Sequence, residues 1–183
     1  MSIKALFVLL LASYFTVLEC KLPVLNLRVL SIQKFLWTEE QIWTLNTTKP
    51  SSNLCQVDEL RNMKKTSIYF MRCFYLNLRK ICKKILGKFS RFRTQRMEVD
   101  MTGRNFTVYE DILYTSKTLG CAVIMVTTKH LRKTITYDLR VRNSSLAESD
   151  IRGCRKMFSK YEKRGGQVLY TAACQRLIKV RKV

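Results

Sequence analysis

The sequence predicts an all-β fold with one helix: an eight-stranded antiparallel β-barrel carrying a single α-helix on its outside, toward the C-terminal end. Three observations predict it. Short runs of β-branched and aromatic residues, separated by polar turns, recur through the middle of the chain; the apolar period then lengthens from two to three or four after residue 150; and one further strand-like run follows.

The first element is a leader. Lys4 precedes a nearly unbroken apolar run, Ala5 to Leu18, too short to span a bilayer comfortably and lacking a stop-transfer pattern, so residues 1–20 read as a secretory signal peptide cleaved after Cys20. Glu19 is the wrong residue for a bacterial lipoprotein signal. Residues 21–183 then form one domain, since no linker, repeat or low-complexity segment divides them. A short apolar segment, Val24 to Trp37, suits a helix, and strands follow near 40–48, 66–75, 81–88, 95–101, 106–115, 119–127 and 133–142. Met97, Val99 and Met101 alternate with Arg96, Glu98 and Asp100 up to the turn Gly103-Arg104-Asn105, a hairpin signature. Ile135, Tyr137, Leu139 and Val141 alternate with Thr136, Asp138, Arg140 and Arg142, which by itself turns the apolar face inward and the charges to water. Ile151, Cys154, Met157, Phe158 and Tyr161 make one stripe of a helix that Ser149 can cap and Gly165-Gly166 can end, and Val168 to Ala173 closes the barrel.

Six cysteines remain after cleavage: Cys55, Cys73, Cys82, Cys121, Cys154 and Cys174. An even number in a chain bound for an oxidising compartment favours disulfides. No C-x-x-C pair occurs and His130 is the only histidine, so neither a zinc site nor a catalytic pair is expected, and no cofactor or enzymatic activity is assigned. On strand 119–127, Cys121 and Ala122 point to opposite faces. If the helix packs outside, Cys121 faces Cys154 and Ala122 faces the cavity. Cys55 can similarly tie the body of the barrel to Cys174. The sequons at Asn46, Asn105 and Asn143 fit a secreted protein with those loops at its surface.

The segments Ile42-Trp43-Thr44-Leu45-Asn46-Thr47-Thr48, Cys55-Gln56-Val57-Asp58, Tyr109-Glu110-Asp111-Ile112-Leu113-Tyr114 and Cys121-Ala122-Val123, with Cys154 and Cys174, resemble the tick salivary lipocalins of the histamine-binding-protein family. The resemblance implies a barrel with one helix against its side, disulfides Cys55–Cys174 and Cys121–Cys154, and sequestration of a host mediator: a biogenic amine such as histamine, or a lipid mediator. Cys73 and Cys82 lie outside that pattern and bracket a turn, so a local third bridge is open to them. In that family a cysteine-aspartate-aliphatic triplet and a glutamate-leucine-aromatic triplet turn two acids inward onto the ammonium. Here they resemble Cys121-Ala122-Val123 and Asp138-Leu139-Arg140, so Ala122 removes the first acid, Asp138 shortens the second and Arg140 replaces the aromatic. Arg140 would pair with Asp138, repel a cation, or welcome a carboxylate. Trp43, Tyr69 and Tyr109 are candidates to line the cavity.

The chain carries 34 Lys and Arg against 13 Asp and Glu, a formal net charge of +21 that removal of the leader leaves unchanged. The richest segment, Arg79-Lys80-Ile81-Cys82-Lys83-Lys84, is extended by Lys88, Arg91, Arg93 and Arg96, and suggests attachment to glycosaminoglycan or an anionic membrane. A secreted chain without a recognition motif is a poor nucleic-acid binder. A monomer with a small-molecule partner is the expectation.

Overall fold

The structure, a computed structural model, describes residues 29–100, 106–162 and 165–178. The proposed leader, Asn105 and the turn at 103–105 lie outside those residues. Chain order is helix α1 (Ile32–Leu36), strands β1 (Ile42–Thr47), β2 (Leu54–Met63), β3 (Ser67–Leu76), β4 (Arg79–Phe89), β5 (Arg96–Asp100), β6 (Thr107–Thr115), β7 (Cys121–Lys129) and β8 (Lys133–Arg142), helix α2 (Glu148–Phe158), strand β9 (Gln167–Val168) and helix α3 (Cys174–Ile178). Strands β2 to β8 form an antiparallel meander, and β1 pairs with both β8 and β2, which closes an eight-stranded barrel with α2 against its outside.

The eighth barrel strand is β2, not the run at 168–173. That run contributes only the two-residue β9 on β1, after which Leu169 and Tyr170 donate to the Leu45 carbonyl and Cys174 begins α3. Strand β2 escapes the period-two reading because Asp58 is turned inward and the register with β3 shifts twice, between Leu54 and Val57 and between Leu60 and Asn62. The N-terminal helix is shorter than Val24 to Trp37 within the described residues: Ser31 caps it by accepting from the Lys34 N–H, and Ile32, Phe35 and Leu36 are buried. Helix α2 begins two residues earlier than a Ser149 cap implies. Its N-cap is Ala147, and Glu148 and Asp150 supply the negative charge that favours a helix start. It ends at Phe158, so Gly165-Gly166 lie in a later turn.

Two apolar clusters result. One fills the closed end of the barrel and contains Ile32, Phe35, Ile42, Phe70, Ile85, Met97, Val99, Ile112, Ala122 and Ile124. The other lies between the barrel wall and α2 and contains Trp43, Val57, Val123, Leu139, Val141, Ile151 and Phe158 with five of the six cysteines. This outer cluster explains β8. Its apolar residues face outward because a helix covers them there, and its charged residues face in.

The disulfides are Cys55–Cys174, Cys121–Cys154 and Cys73–Cys82. Cys121 and Cys154 belong to the outer cluster and Ala122 to the inner one, as the alternation argument expects. Cys73 and Cys82 face each other across β3 and β4.

Candidate ligand cavity

The inward-facing residues of β7 and β8 pair in register: Thr128 with Thr134, Val126 with Thr136, Ile124 with Asp138, and Ala122 with Arg140. The series runs from the open end of the barrel downward, and a cavity of about 530 Å³ occupies its upper part. Thr47, Gln56, Phe106, Val108, Val126, Thr128, Thr134 and Thr136 form its walls, and Arg72, Glu110, Asp138 and Arg140 its floor.

That floor is one ionic network. Arg140 donates from Nη1 and Nη2 to the two oxygens of Glu110 at 2.7 and 2.8 Å, and from Nη2 and Nε to Asp138 Oδ2 at 2.9 and 3.3 Å. Arg72 donates from Nε and Nη2 to the two oxygens of Asp58, both at 2.7 Å, and from Nη1 and Nη2 to Glu110 Oε1 at 3.2 Å. Thr47 Oγ1 donates to Asp138 Oδ1 at 2.8 Å. Glu110, buried completely, thus sits between two guanidiniums; Arg72 spans two carboxylates, and Arg140 spans Glu110 and Asp138 and comes within 3.7 Å of Asp58. Three acids against two bases give the network a formal charge of −1. Two cations stand outside the network, Lys49 at the mouth and Lys83 opposite Arg72 on the inward face of β4, both exposed to solvent that screens them.

Burial alone would raise the Glu110 carboxyl, but Arg140 and Arg72 outweigh it and hold the group at about 2, below its ordinary 4.5. Burial would lower the two guanidiniums, and the surrounding carboxylates hold both above their usual range. A folded value below the unfolded one contributes stability that is complete above about pH 4.5 and lost as pH falls toward 2. Urea titrations across this range should show a loss on the order of 3 kcal/mol that Glu110→Gln largely abolishes.

Of the residues expected at the cavity, Asp138 and Arg140 are there. The others are elsewhere. Trp43 is fully buried in the outer cluster, donating from Nε1 to Asn143 Oδ1 at 2.9 Å and meeting Tyr170 edge-on. Tyr69 is on the outer face of β3, its hydroxyl against Met71 Sδ. Tyr109 is on the outer face of β6 between Arg96 and Lys129. Ala122 points inward but packs into the closed-end cluster below the floor, so it does not line the cavity. Arg72, Asp58, Glu110 and Thr47 were not singled out by sequence as ligand contacts. Their signal was available: Arg72 shares a face with Ile68, Phe70 and Phe74, and Glu110 with Val108 and Ile112, so each is a charge on an otherwise apolar face.

Of the sequons, Asn46 is buried in β1 and departs from the expected surface position, while Asn143 is exposed after β8. The basic segment does not form one face. Lys83 shares the inward face with Arg72 and lies over the Phe74 ring, whereas Arg96 is paired with Asp111 on the outside.

No protein-family model and no curated protein sequence matches the chain. Solved structures do resemble it. H1 crustacyanin from the lobster Homarus americanus aligns with a TM-score of 0.58 at 11% identity over 81% of this chain and 90% of that one. The siderocalin Ex-FABP gives 0.55 at 11% identity over 73% and 93%. A dog lipocalin allergen gives 0.53 at 12% identity over 72% and 93%. Together with the closed eight-stranded meander and its outer helix, these likenesses establish that the chain has the lipocalin fold.

Proposed function

We propose that the protein is a secreted, non-enzymatic carrier that sequesters a small host mediator, a biogenic amine of the histamine kind, in its barrel and so dampens host defence. One observation carries this reading: the cavity floor, Glu110 and Asp138 against Arg72 and Arg140, is backed by a third acid, Asp58, so the network as a whole holds one more acid than base, and the acid at its edge, Asp138, has a side chain one-tenth exposed to the cavity. An ammonium ion entering a low-dielectric site needs a carboxylate partner, and Asp138 Oδ1, which among the described residues accepts only from Thr47, offers one. Arg140 does not repel that cation as a bare charge would, because Glu110 and Asp138 already neutralise it.

The same occupancy argues against the lipid-mediator alternative. A fatty acid or leukotriene carboxylate would need a free guanidinium fork, and the forks of Arg140 and Arg72 are taken. Secretion, with removal of residues 1–20 to leave 21–183, is supported by the apolar leader and by three disulfides, which persist in oxidising compartments. The resemblance to the salivary histamine binders supports the amine class.

Calorimetric titration of the secreted protein with histamine, serotonin, a leukotriene and a fatty acid tests the proposal. An amine should bind at micromolar concentration or tighter. Asp138→Asn, which keeps the shape and removes the charge, should weaken that binding by at least about ten-fold, or about 1.4 kcal/mol. Binding of the fatty acid alone, or of nothing, would refute it.

A further inference from the structure

Consecutive turns of a meander alternate between the two ends of the barrel, so the β1–β2, β3–β4, β5–β6 and β7–β8 connections share one end. It is the open end, since Lys49, Pro50, Ser51 and Asn53 of the first connection and Thr128 and Thr134 flanking the last line the cavity. Two of these turns have a leucine at the tip. Leu78 is 95% exposed and Leu131 is 93% exposed, the least buried leucines described.

The β3–β4 turn makes the first of these informative. Leu76 pairs with Arg79, leaving the two-residue loop Asn77-Leu78, and both residues have positive φ, 49° and 63°. Turns of this kind favour Asn-Gly, because a side chain in the left-handed region crowds its own backbone. Leu78 bears that strain while touching almost nothing in the fold. Neither conformation nor packing accounts for a leucine there, so an external contact is the remaining role.

Charge says what the contact is. The described connections at this end and the strand ends beside them hold Lys49, Arg79, Lys80, Lys129, Arg132 and Lys133 against one acid, Asp100 at the end of β5. Of these, Lys129 also lies over the Tyr109 ring. Bare apolar tips surrounded by cations match the boundary of an anionic bilayer, where leucine enters the acyl region and lysine and arginine meet headgroup phosphates. A sulfated polysaccharide would satisfy the cations but leave both leucines in water.

We propose that the open end of the barrel docks on anionic lipid membranes through the Leu78 and Leu131 turns and their flanking bases. This docking is independent of which ligand the cavity holds. The protein secreted by an expressing eukaryotic cell line should co-sediment with vesicles of phosphatidylserine and phosphatidylcholine, and bind vesicles of phosphatidylcholine alone at least about ten-fold more weakly. The double variant Leu78→Gly/Leu131→Ser should lose at least about ten-fold in affinity for the anionic vesicles. Because Asn-Gly suits the turn better, Leu78→Gly alone should keep or raise the thermal midpoint, which separates lost docking from lost folding. Phe92 tests which end docks: it has the same apolar and basic character, 97% exposed and flanked by Arg91 and Arg93, but it lies in the β4–β5 connection at the opposite end, which points away from a bilayer met by the open end. Phe92→Ser should leave vesicle binding unchanged within about two-fold. Absence of vesicle binding, binding indifferent to the leucine changes, or an equal loss in Phe92→Ser would overturn the proposal. So would retention on heparin without vesicle binding, which would assign the charge to a sulfated polysaccharide.

Discussion

Replacing Arg140 with leucine should lower the free energy of unfolding by about 3 to 5 kcal/mol, the cost of leaving buried carboxylates without their partner. Glu110 would lose its two shortest hydrogen bonds and Asp138 both of those it receives from Arg140. The loss belongs to the uncompensated charge, not to the pair as such. The double variant Arg140→Leu/Glu110→Leu should therefore be less destabilised than the sum of the single changes, with a coupling of about 1 to 3 kcal/mol. Urea unfolding of the four proteins measures both quantities. Additive effects would mean that Arg140 and Glu110 do not depend on each other as their 2.7 and 2.8 Å contacts require.

The second large effect is on the covalent frame. The bridge Cys55–Cys174 spans 119 residues, Cys121–Cys154 spans 33 and Cys73–Cys82 spans 9. If a bridge acts chiefly by restricting the unfolded chain, replacing each pair with alanine should cost about 5, about 4 and about 2.5 kcal/mol in that order. Thermal or urea unfolding of the three double variants gives the ranking. The longest bridge also fixes α3 to β2, so its loss should release the C-terminal end first, seen as early proteolysis after residue 170.

Most of the barrel is legible in the sequence because most of its strands bury one face in the ordinary way. Met97 and Val99 face in while Glu98 and Asp100 face out, and the hairpin with β6 follows from that alternation alone. Strand β2 is not legible, since its inward Asp58 and two register shifts break the pattern. Strand β8 is legible as a strand, yet alternation assigns its faces in reverse. Tyr137, Leu139 and Val141 are covered by α2 from outside, so in this barrel the apolar face is the outer one. The resemblance to a known family placed Asp138 and Arg140 inward where periodicity could not. What neither source supplied is the partner set: Arg72, Asp58 and Glu110 come from β3, β2 and β6, and only the closure of the barrel brings them against Arg140 on β8. The aromatic candidates Trp43, Tyr69 and Tyr109 fall outside the cavity because each lies on the outward parity of its strand, where Trp43 and Tyr109 find other partners in the outer cluster and in cation–π contacts.

We attribute selection of cations by the cavity to the excess of one buried acid in its network, and two ligands of nearly equal size and opposite charge test that attribution. Tyramine and 4-hydroxyphenylacetate share a phenol and differ in its short arm, which carries an ammonium on two methylenes in the first and a carboxylate on one methylene in the second. Titrated against the secreted protein at pH 7 and the same ionic strength, tyramine should bind at least about ten-fold more tightly, a difference of about 1.4 kcal/mol or more. Tighter binding of 4-hydroxyphenylacetate would contradict the claim, showing that the guanidiniums of Arg72 and Arg140, and not Asp138, govern what the barrel accepts.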